Sequence, residues 1–313
     1  MILAGLDIGT NALRMLIAEI RREKGRLVLN PLCEGRRITR LGEGIVNTGS
    51  LSEAAMGRSL AALKFFRGEI SGLSVDHVLA VGTSAVRESA NREHFLSRVR
   101  REAGIEVEVI SGEEEARRTL LGVRHGLSGD ERNFVVMDIG GGSTEFIVVT
   151  GGQTVSMTTL PVGVVKLTDR HLKSDPLSAG DLEALRAVVE SAVGPALAGM
   201  GGLGLHRFVG SAGTVTTLAA LELGLKVYDA ARVQNMRLSR VQVESWFDKL
   251  SIMTLRERRE LGGLEPGRED LIIPGTALLV SAMRILGKSE VTVSDYGLRE
   301  GVLIDFAERR LSL

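Results

Sequence analysis

Apolar and polar positions along the chain switch between two regimes. Ile2 to Leu6 and Leu13 to Ile20 are aliphatic runs separated by Asp7-Ile8-Gly9-Thr10-Asn11, and such a pair reads as a β-hairpin turning over a glycine-containing loop. A third strand, Arg26 to Leu32, follows the charged turn Arg21 to Gly25. From Ser52 to Ile70 the period changes: Ala55, Leu60, Leu63, Phe66 and Ile70 recur at helical spacing behind the N-cap candidate Ser52. Val75 to Val81 predicts a buried strand ending in Gly82-Thr83-Ser84. Ser89 to Ala103 predicts a helix, and Val107 to Ile110 a strand leading into Ser111-Gly112-Glu113-Glu114-Glu115.

After the polar turn Ser128 to Arg132 the opening pattern returns. Phe134 to Met137 is apolar, Asp138-Ile139-Gly140-Gly141-Gly142-Ser143-Thr144-Glu145 interrupts, and Phe146 to Val149 is apolar again. Two segments of the form strand, Asp-Ile-Gly, polar loop, strand, about half a chain apart, imply an internal duplication and two similar lobes. The boundary falls near Gly122 to Glu131. The expected lobes are residues 1–124, with a closing helix at about 299–313 packed on them, and 125–298. The second half adds a helix from about Asp181 to Leu197, a glycine-rich turn at Gly199 to Gly204, and a strand at Arg207 to Gly210 feeding Ser211-Ala212-Gly213-Thr214. Helices follow at Thr216 to Leu223, Arg240 to Lys249 and Pro274 to Leu286, then a strand at Glu290 to Val293.

Composition narrows the functions open to this pattern. With 313 residues and 44 % hydrophobic content the chain can bury the cores of two lobes, and its 39 basic residues are matched by 39 acidic ones. A balanced charge gives no broad attraction for nucleic acid or an acidic membrane face, so neither is an expected partner. The single cysteine, Cys33, cannot form an internal disulfide, and no leader or early span is read from the first residues, so a cytoplasmic location is expected. The five histidines show no ligand spacing, which argues against a zinc site or a Ser-His-Asp triad.

The loops carry the candidate chemistry. Several glycines between two strands let backbone amides converge on one point, and phosphate is the natural guest. An Asp in such a loop repels phosphate directly and works best through a divalent cation or an ordered water. Residues 138–145, with three glycines, two hydroxyls and two carboxylates, fit this best, and residues 7–11 form a twin. Ser211-Ala212-Gly213-Thr214 is a third small-residue turn at a strand end, where ligands of α/β sheets bind, though a plain turn with Thr214 as N-cap reads equally well. Glu113-Glu114-Glu115 reads on chemistry alone as the acidic first turn of a helix, with Ser111 and Glu114 as a capping box. Arg87, just after a strand-end turn, could reach an anion with a bidentate guanidinium.

At this point the sequence resembles a known family. LDIGTNALRMLIA, VGTSAVRESAN, VISGEEEARR, VMDIGGGSTEFIV, VGSAGTVTTLA and SDYGLREGVL, in this order, are similar to the motifs of the Ppx/GppA phosphatases, which are exopolyphosphatases and guanosine pentaphosphate phosphohydrolases. The resemblance implies an α/β class, two-lobed actin-like ATPase fold shared with sugar kinases and heat-shock chaperones, each lobe a mixed sheet flanked by helices. It implies that Glu115 activates the attacking water, and that Asp138 and Glu145 serve a divalent cation, Mg²⁺ or Mn²⁺. Terminal phosphates would then be held by Asp7, Gly9, Thr10, Asn11, Arg87, Gly140, Gly141, Gly142, Ser143, Thr144, Gly210, Ser211, Gly213 and Thr214. Two departures stand out: the sequence lacks the C-terminal helical extension with an HD-type domain of longer members, and Lys166 stands where many relatives carry arginine.

The expected activity is therefore release of terminal orthophosphate from inorganic polyphosphate entering between the lobes. Hydrolysis of the 5′ γ-phosphate of pppGpp is the alternative within the family, and a nucleotide-binding sensor without turnover is the alternative from another class. A homodimer is expected by resemblance alone.

Overall fold

The computed structural model describes residues 1–129, 132–200 and 204–311. Parts of two sequence-read turns, at 130–131 and 201–203, and residues 312–313 of the sequence-read closing helix lie outside the described residues. The chain divides into two compact units, Met1–Gly122 with Gly297–Leu313, and Val123–Tyr296.

The first unit is built on a five-stranded sheet. β1 (Ile2–Ile8) pairs antiparallel with β2 (Ala12–Glu23), which pairs antiparallel with β3 (Arg26–Ile38); on the other side β4 (His77–Gly82) and β5 (Val107–Val109) run parallel, in the order β3-β2-β1-β4-β5. Strand alternation sends Ala4, Leu6 and Ile8 into one core with Phe66 and Phe95. Those phenylalanines come from α2 (Glu53–Ser71) and α4 (Arg92–Ala103). Leu3 and Leu16 meet Leu303, Ile304 and Ala307 of the closing helix α13 (Leu298–Leu311) on the opposite face. A Cβ on Gly5 would lie 3.0 Å from Leu303, so glycine lets α13 sit close on β1. Short helices α1 (Ile45–Thr48) and α3 (Ser84–Glu88) and the longer α5 (Gly112–Gly126) complete this part of the chain.

The second unit carries a six-stranded sheet, β10-β11-β9-β6-β7-β8. Its strands are β6 (Phe134–Ile139), β7 (Thr144–Thr150), β8 (Gln153–Leu160), β9 (Arg207–Ser211), β10 (Arg237–Ser239) and β11 (Glu290–Ser294). Helices α6 (Val164–His171), α7 (Ala179–Leu197), α8 (Gly213–Glu222), α9 (Ala230–Val233), α10 (Arg240–Ile252), α11 (Leu255–Arg259) and α12 (Ile272–Ile285) surround it. α12 is buried along most of its length, and α7, α8 and α10 pack around it. Both sheets are mixed and helix-flanked. Among the described residues no helix is long and apolar enough to cross a membrane.

Several sequence-read boundaries shift for identifiable reasons. β3 runs past Leu32 to Ile38 because a bulge opposite Ile17 and Ala18 absorbs the Pro31–Leu32 step, which cannot continue the ladder regularly. The helix read from Ser89 starts at Arg92 as α4, because just before it the Asn91 amide side chain exchanges two 2.9 Å hydrogen bonds with the backbone of Leu51; the short α3, Ser84–Glu88, precedes it and was not read. Ser52 caps α2 as expected, its hydroxyl accepting from Ala55 N at 3.2 Å.

Candidate active site

The two Asp-Ile-Gly hairpins are built alike. In each, a four-residue turn is closed by one hydrogen bond, Gly9 N to Ala12 O at 3.1 Å and Gly140 N to Ser143 O at 2.9 Å. In each, a Cβ on the glycine would come within 2.8 Å of that same carbonyl oxygen, closer than any side-chain-bearing residue tolerates. The register is also the same, Ile8 opposite Leu13 and Ile139 opposite Thr144. One step further the twins diverge: Asp7 lies opposite Arg14, whereas Asp138 lies opposite Glu145. Directly opposed residues of antiparallel strands project from the same face. The first hairpin therefore sets a carboxylate beside a guanidinium, and the second sets two carboxylates side by side.

In the second unit the glycine loop is oriented by α6. Val164 N donates to Gly140 O at 3.1 Å and Val165 N to Gly141 O at 2.9 Å. A trans peptide points its N–H opposite to its C=O, so with those carbonyls turned to α6 the amides of Gly141 and Gly142 point away from it. Gly163 makes this fit possible, since a Cβ there would stand 2.5 Å from the backbone of Gly141 and Gly142. Thr144 is anchored through its hydroxyl to Val162 O at 2.7 Å, and Ser143 is buried.

β9 delivers the third turn beside this loop, with Ser211 in register with Asp138. Glu145, Asp138 and Ser211 thus form one row across β7, β6 and β9. Gly210 is required by close packing, a Cβ there falling 2.9 Å from Val215. Ala212, at φ 69°, turns the chain into α8. Thr214 lies inside α8 rather than capping it, wedged against Gly275 at the start of α12, where a Cβ would be 2.1 Å from its hydroxyl. The Arg268 guanidinium occupies the space a Gly213 side chain would take.

In the first unit, Thr10 and Asn11 are buried at the hairpin tip. Asn11 O accepts from Thr39 N at 3.0 Å and Arg40 N at 2.8 Å, while neither atom of the Asn11 side-chain amide has a hydrogen-bond partner. Arg87, on α3, donates from Nη1 to Ile110 O at 2.9 Å and to Glu115 Oε2 at 3.0 Å. Glu115 is 8 % exposed. Its neighbours on the acidic run behave differently, because consecutive helical residues point about 100° apart. Glu113 is exposed. Glu114 N donates to the Ser111 hydroxyl at 3.1 Å, but the Glu114 carboxylate does not close a capping box; it accepts from Arg117 at 2.7 Å and from Arg118 at 2.6 Å. Hydrogen bonds from Arg117 above all hold this carboxyl down at about 2.

Among the described residues no group of three or more His, Cys, Asp and Glu side chains could hold a metal. Two opposed carboxylates nevertheless suit Mg²⁺, which is commonly bound through one or two carboxylates with water and substrate phosphate filling the remaining positions. Like charges directly across a ladder repel; Glu145 is 1 % exposed and Asp138 half-buried, so a cation held there would offset that repulsion.

Sequence reasoning missed Arg14, Gly163 and Arg268. Arg14 was legible as the eighth residue of a repeat whose partner ends in Glu145. Gly163 and Arg268 left no local signal, because each acts on a loop distant in sequence.

Comparison with known proteins gives the family. Residues 16–310 match the model of the Ppx/GppA phosphatase family. The chain is 33 % identical to Exopolyphosphatase 2 of Mycobacterium tuberculosis, covering 97 % of this chain and 98 % of that protein. It is 29 % identical to the guanosine-5′-triphosphate,3′-diphosphate pyrophosphatase of Photobacterium profundum, covering 98 % of this chain but 59 % of that one. The crystal structure of an exopolyphosphatase from Cytophaga hutchinsonii superposes with a TM-score of 0.89 at 29 % identity, over 99 % of this chain and 98 % of the other. By sequence over nearly its whole length and by fold, the chain belongs to the Ppx/GppA phosphatase family, with that family's actin-like ATPase fold.

Proposed function

We propose that the protein is an exopolyphosphatase that removes the terminal orthophosphate of inorganic polyphosphate, with Glu115 acting on the attacking water. The observation that carries this reading is the buried Glu115 carboxylate fixed at 3.0 Å by Arg87. A carboxylate held in one place at the start of a helix is suited to orient a water for in-line attack. Phosphoryl transfer has a loose, charge-spread transition state, so fixing the water and surrounding the phosphoryl oxygens with donors supply most of the acceleration.

The amides of Gly141 and Gly142, the hydroxyls of Ser143, Ser211 and Thr214, and the twin turn Gly9 to Asn11 are the phosphate donors in this reading, while the Thr144 hydroxyl, given to Val162 O at 2.7 Å, fixes the loop beside them. The open side-chain amide of Asn11 adds a donor, and Arg87 keeps Glu115 in position while offering its remaining N–H groups to phosphate. Asp138 and Glu145 would hold Mg²⁺ or Mn²⁺, which when bound neutralises phosphate oxygens.

This reading favours polyphosphate over pppGpp because a relative matched over 98 % of its length is an exopolyphosphatase, whereas a pyrophosphatase relative is matched over 59 % of its length. Orthophosphate release measured side by side from polyphosphate of defined length, pppGpp and ATP, with Mg²⁺, tests the assignment. A kcat/KM for polyphosphate at least tenfold above the others is the expected outcome. Higher efficiency with pppGpp would move the enzyme to the other activity of the family, and no release from any of them would leave a binding protein.

A further inference from the structure

The second unit contains a groove that the reaction does not use. α12 forms its floor: Ala277, Val280, Ser281, Arg284 and Ile285 follow one another at steps of three, one, three and one, the spacing of a single helical stripe. α7 contributes Val189 to one wall and α10 contributes Phe247 to the other, and the space between them is about 380 Å³, within the range of small-molecule pockets.

Ser281 marks the floor as a polar anchor. Serine and threonine inside helices commonly bond back to the carbonyl four residues earlier. Thr276 does so to Ile272 at 2.7 Å, and Ser251 to Phe247 at 2.6 Å. Ser281 Oγ does not: the residue is 8 % exposed and its hydroxyl has no hydrogen-bond partner. A buried hydroxyl opening into a cavity is a group a ligand can satisfy.

The mouth sets the charge of that ligand. Arg284 Nε donates to Glu244 Oε1 at 2.9 Å, which neutralises this pair. Arg186 lies over the Phe247 ring at 5.2 Å, and the groove is also lined by Glu190 and Asp248, which are both exposed. The balance at the opening is negative, which disfavours phosphate and other anions and separates this groove from the substrate loops.

We propose that the groove binds a small organic cation, an amine carried on a compact apolar body, with a polar atom on Ser281 and the ammonium at Glu190 and Asp248. Occupancy acts on α12, whose Gly275 packs against Thr214. Because Thr214 is a phosphate donor in the proposed reaction, a bound amine changes the KM for polyphosphate.

The single tryptophan, Trp246, precedes Phe247 and bonds Glu222 at 2.7 Å, so its fluorescence reports on the wall. Titration of the full chain with 2-phenylethylamine should give a saturable change, while phenylacetate of the same shape should bind at least about tenfold more weakly. Ser281→Leu, which fills the floor, should abolish the response. Glu190→Lys with Asp248→Lys, both on exposed positions, should reverse the order of the two probes. A non-saturable amine response, equal binding of both probes, or an unchanged order in the double lysine variant would overturn the site. Saturable binding with an unaltered KM would overturn the link through α12 while the site stands, and a loss of all phosphatase activity in the unliganded wild type would instead remove the proposed reaction.

Discussion

Arg87 ties the end of β5 to the first turn of α5: a single terminal nitrogen donates at 2.9 Å to Ile110 O and at 3.0 Å to the Glu115 carboxylate. A long side chain shared between a backbone carbonyl and a buried carboxylate has little freedom left, so Glu115 inherits its position from β5 rather than from its own helix alone.

Replacing Arg87 by lysine keeps the charge but loses the planar fork that serves several acceptors at once. Arg87→Lys is expected to lower kcat by about 10-fold to 100-fold, and Arg87→Ala further, because the carboxylate loses its orientation and the phosphate loses a donor. Steady-state kinetics checks this, with circular dichroism showing that the fold persists. Equal activity of the lysine variant would mean that charge alone matters.

The opposed pair Asp138 and Glu145 should make the metal-free sheet less stable than it need be. Glu145→Gln is expected to raise the melting temperature without divalent cations slightly, in line with about 0.2–1 kcal/mol for relieved cross-strand repulsion. The same variant should lose most of the stabilisation that Mg²⁺ gives the wild type. Thermal melts with EDTA and with Mg²⁺ read both effects, and an equal Mg²⁺ shift in both proteins would take the cation away from this pair.

Gly163→Ala places a methyl group 2.5 Å from the Gly141 and Gly142 backbone. Overpacking of this kind costs about 1–3 kcal/mol, and relief requires the glycine loop to move off α6. The expected result is a raised KM for polyphosphate together with a lower unfolding midpoint. An unchanged KM would show that the loop amides do not hold substrate.

The Glu114 network gives a pH dependence with a definite sign. Its carboxyl is held at about 2, well below its ordinary 4.5, chiefly by the hydrogen bond from Arg117. A depressed carboxyl contributes stability above its ordinary value and loses it as pH falls toward the folded value. The stability gap between wild type and Glu114→Gln should therefore be full at pH 7 and shrink between about pH 4.5 and 2, as urea midpoints can show. A gap that does not vary with pH would contradict the ion pairing.

Much of this was legible before the structure. Both hairpins, their loops and the capped helix α2 follow from alternation, glycine placement and Ser52, because each is determined by neighbours in sequence. β8 and α6 were not read. β8 is an edge strand with the mixed sequence QTVSMTTL, whose partly exposed positions give no clean alternation, and α6 is too short to establish a period. The separation of Glu113, Glu114 and Glu115 into exposed, arginine-bound and buried carboxylates could not be read either. It depends on Arg87, Arg117 and Arg118 arriving from particular directions, and only the family resemblance singled out Glu115.

The most direct measurement compares orthophosphate release by wild type and Glu115→Gln at saturating polyphosphate with Mg²⁺. The amide keeps the shape but cannot accept the water's proton, so kcat should fall by about 10²–10⁴ while KM stays within a few-fold. A Gln variant that turns over like the wild type would contradict the role assigned to Glu115.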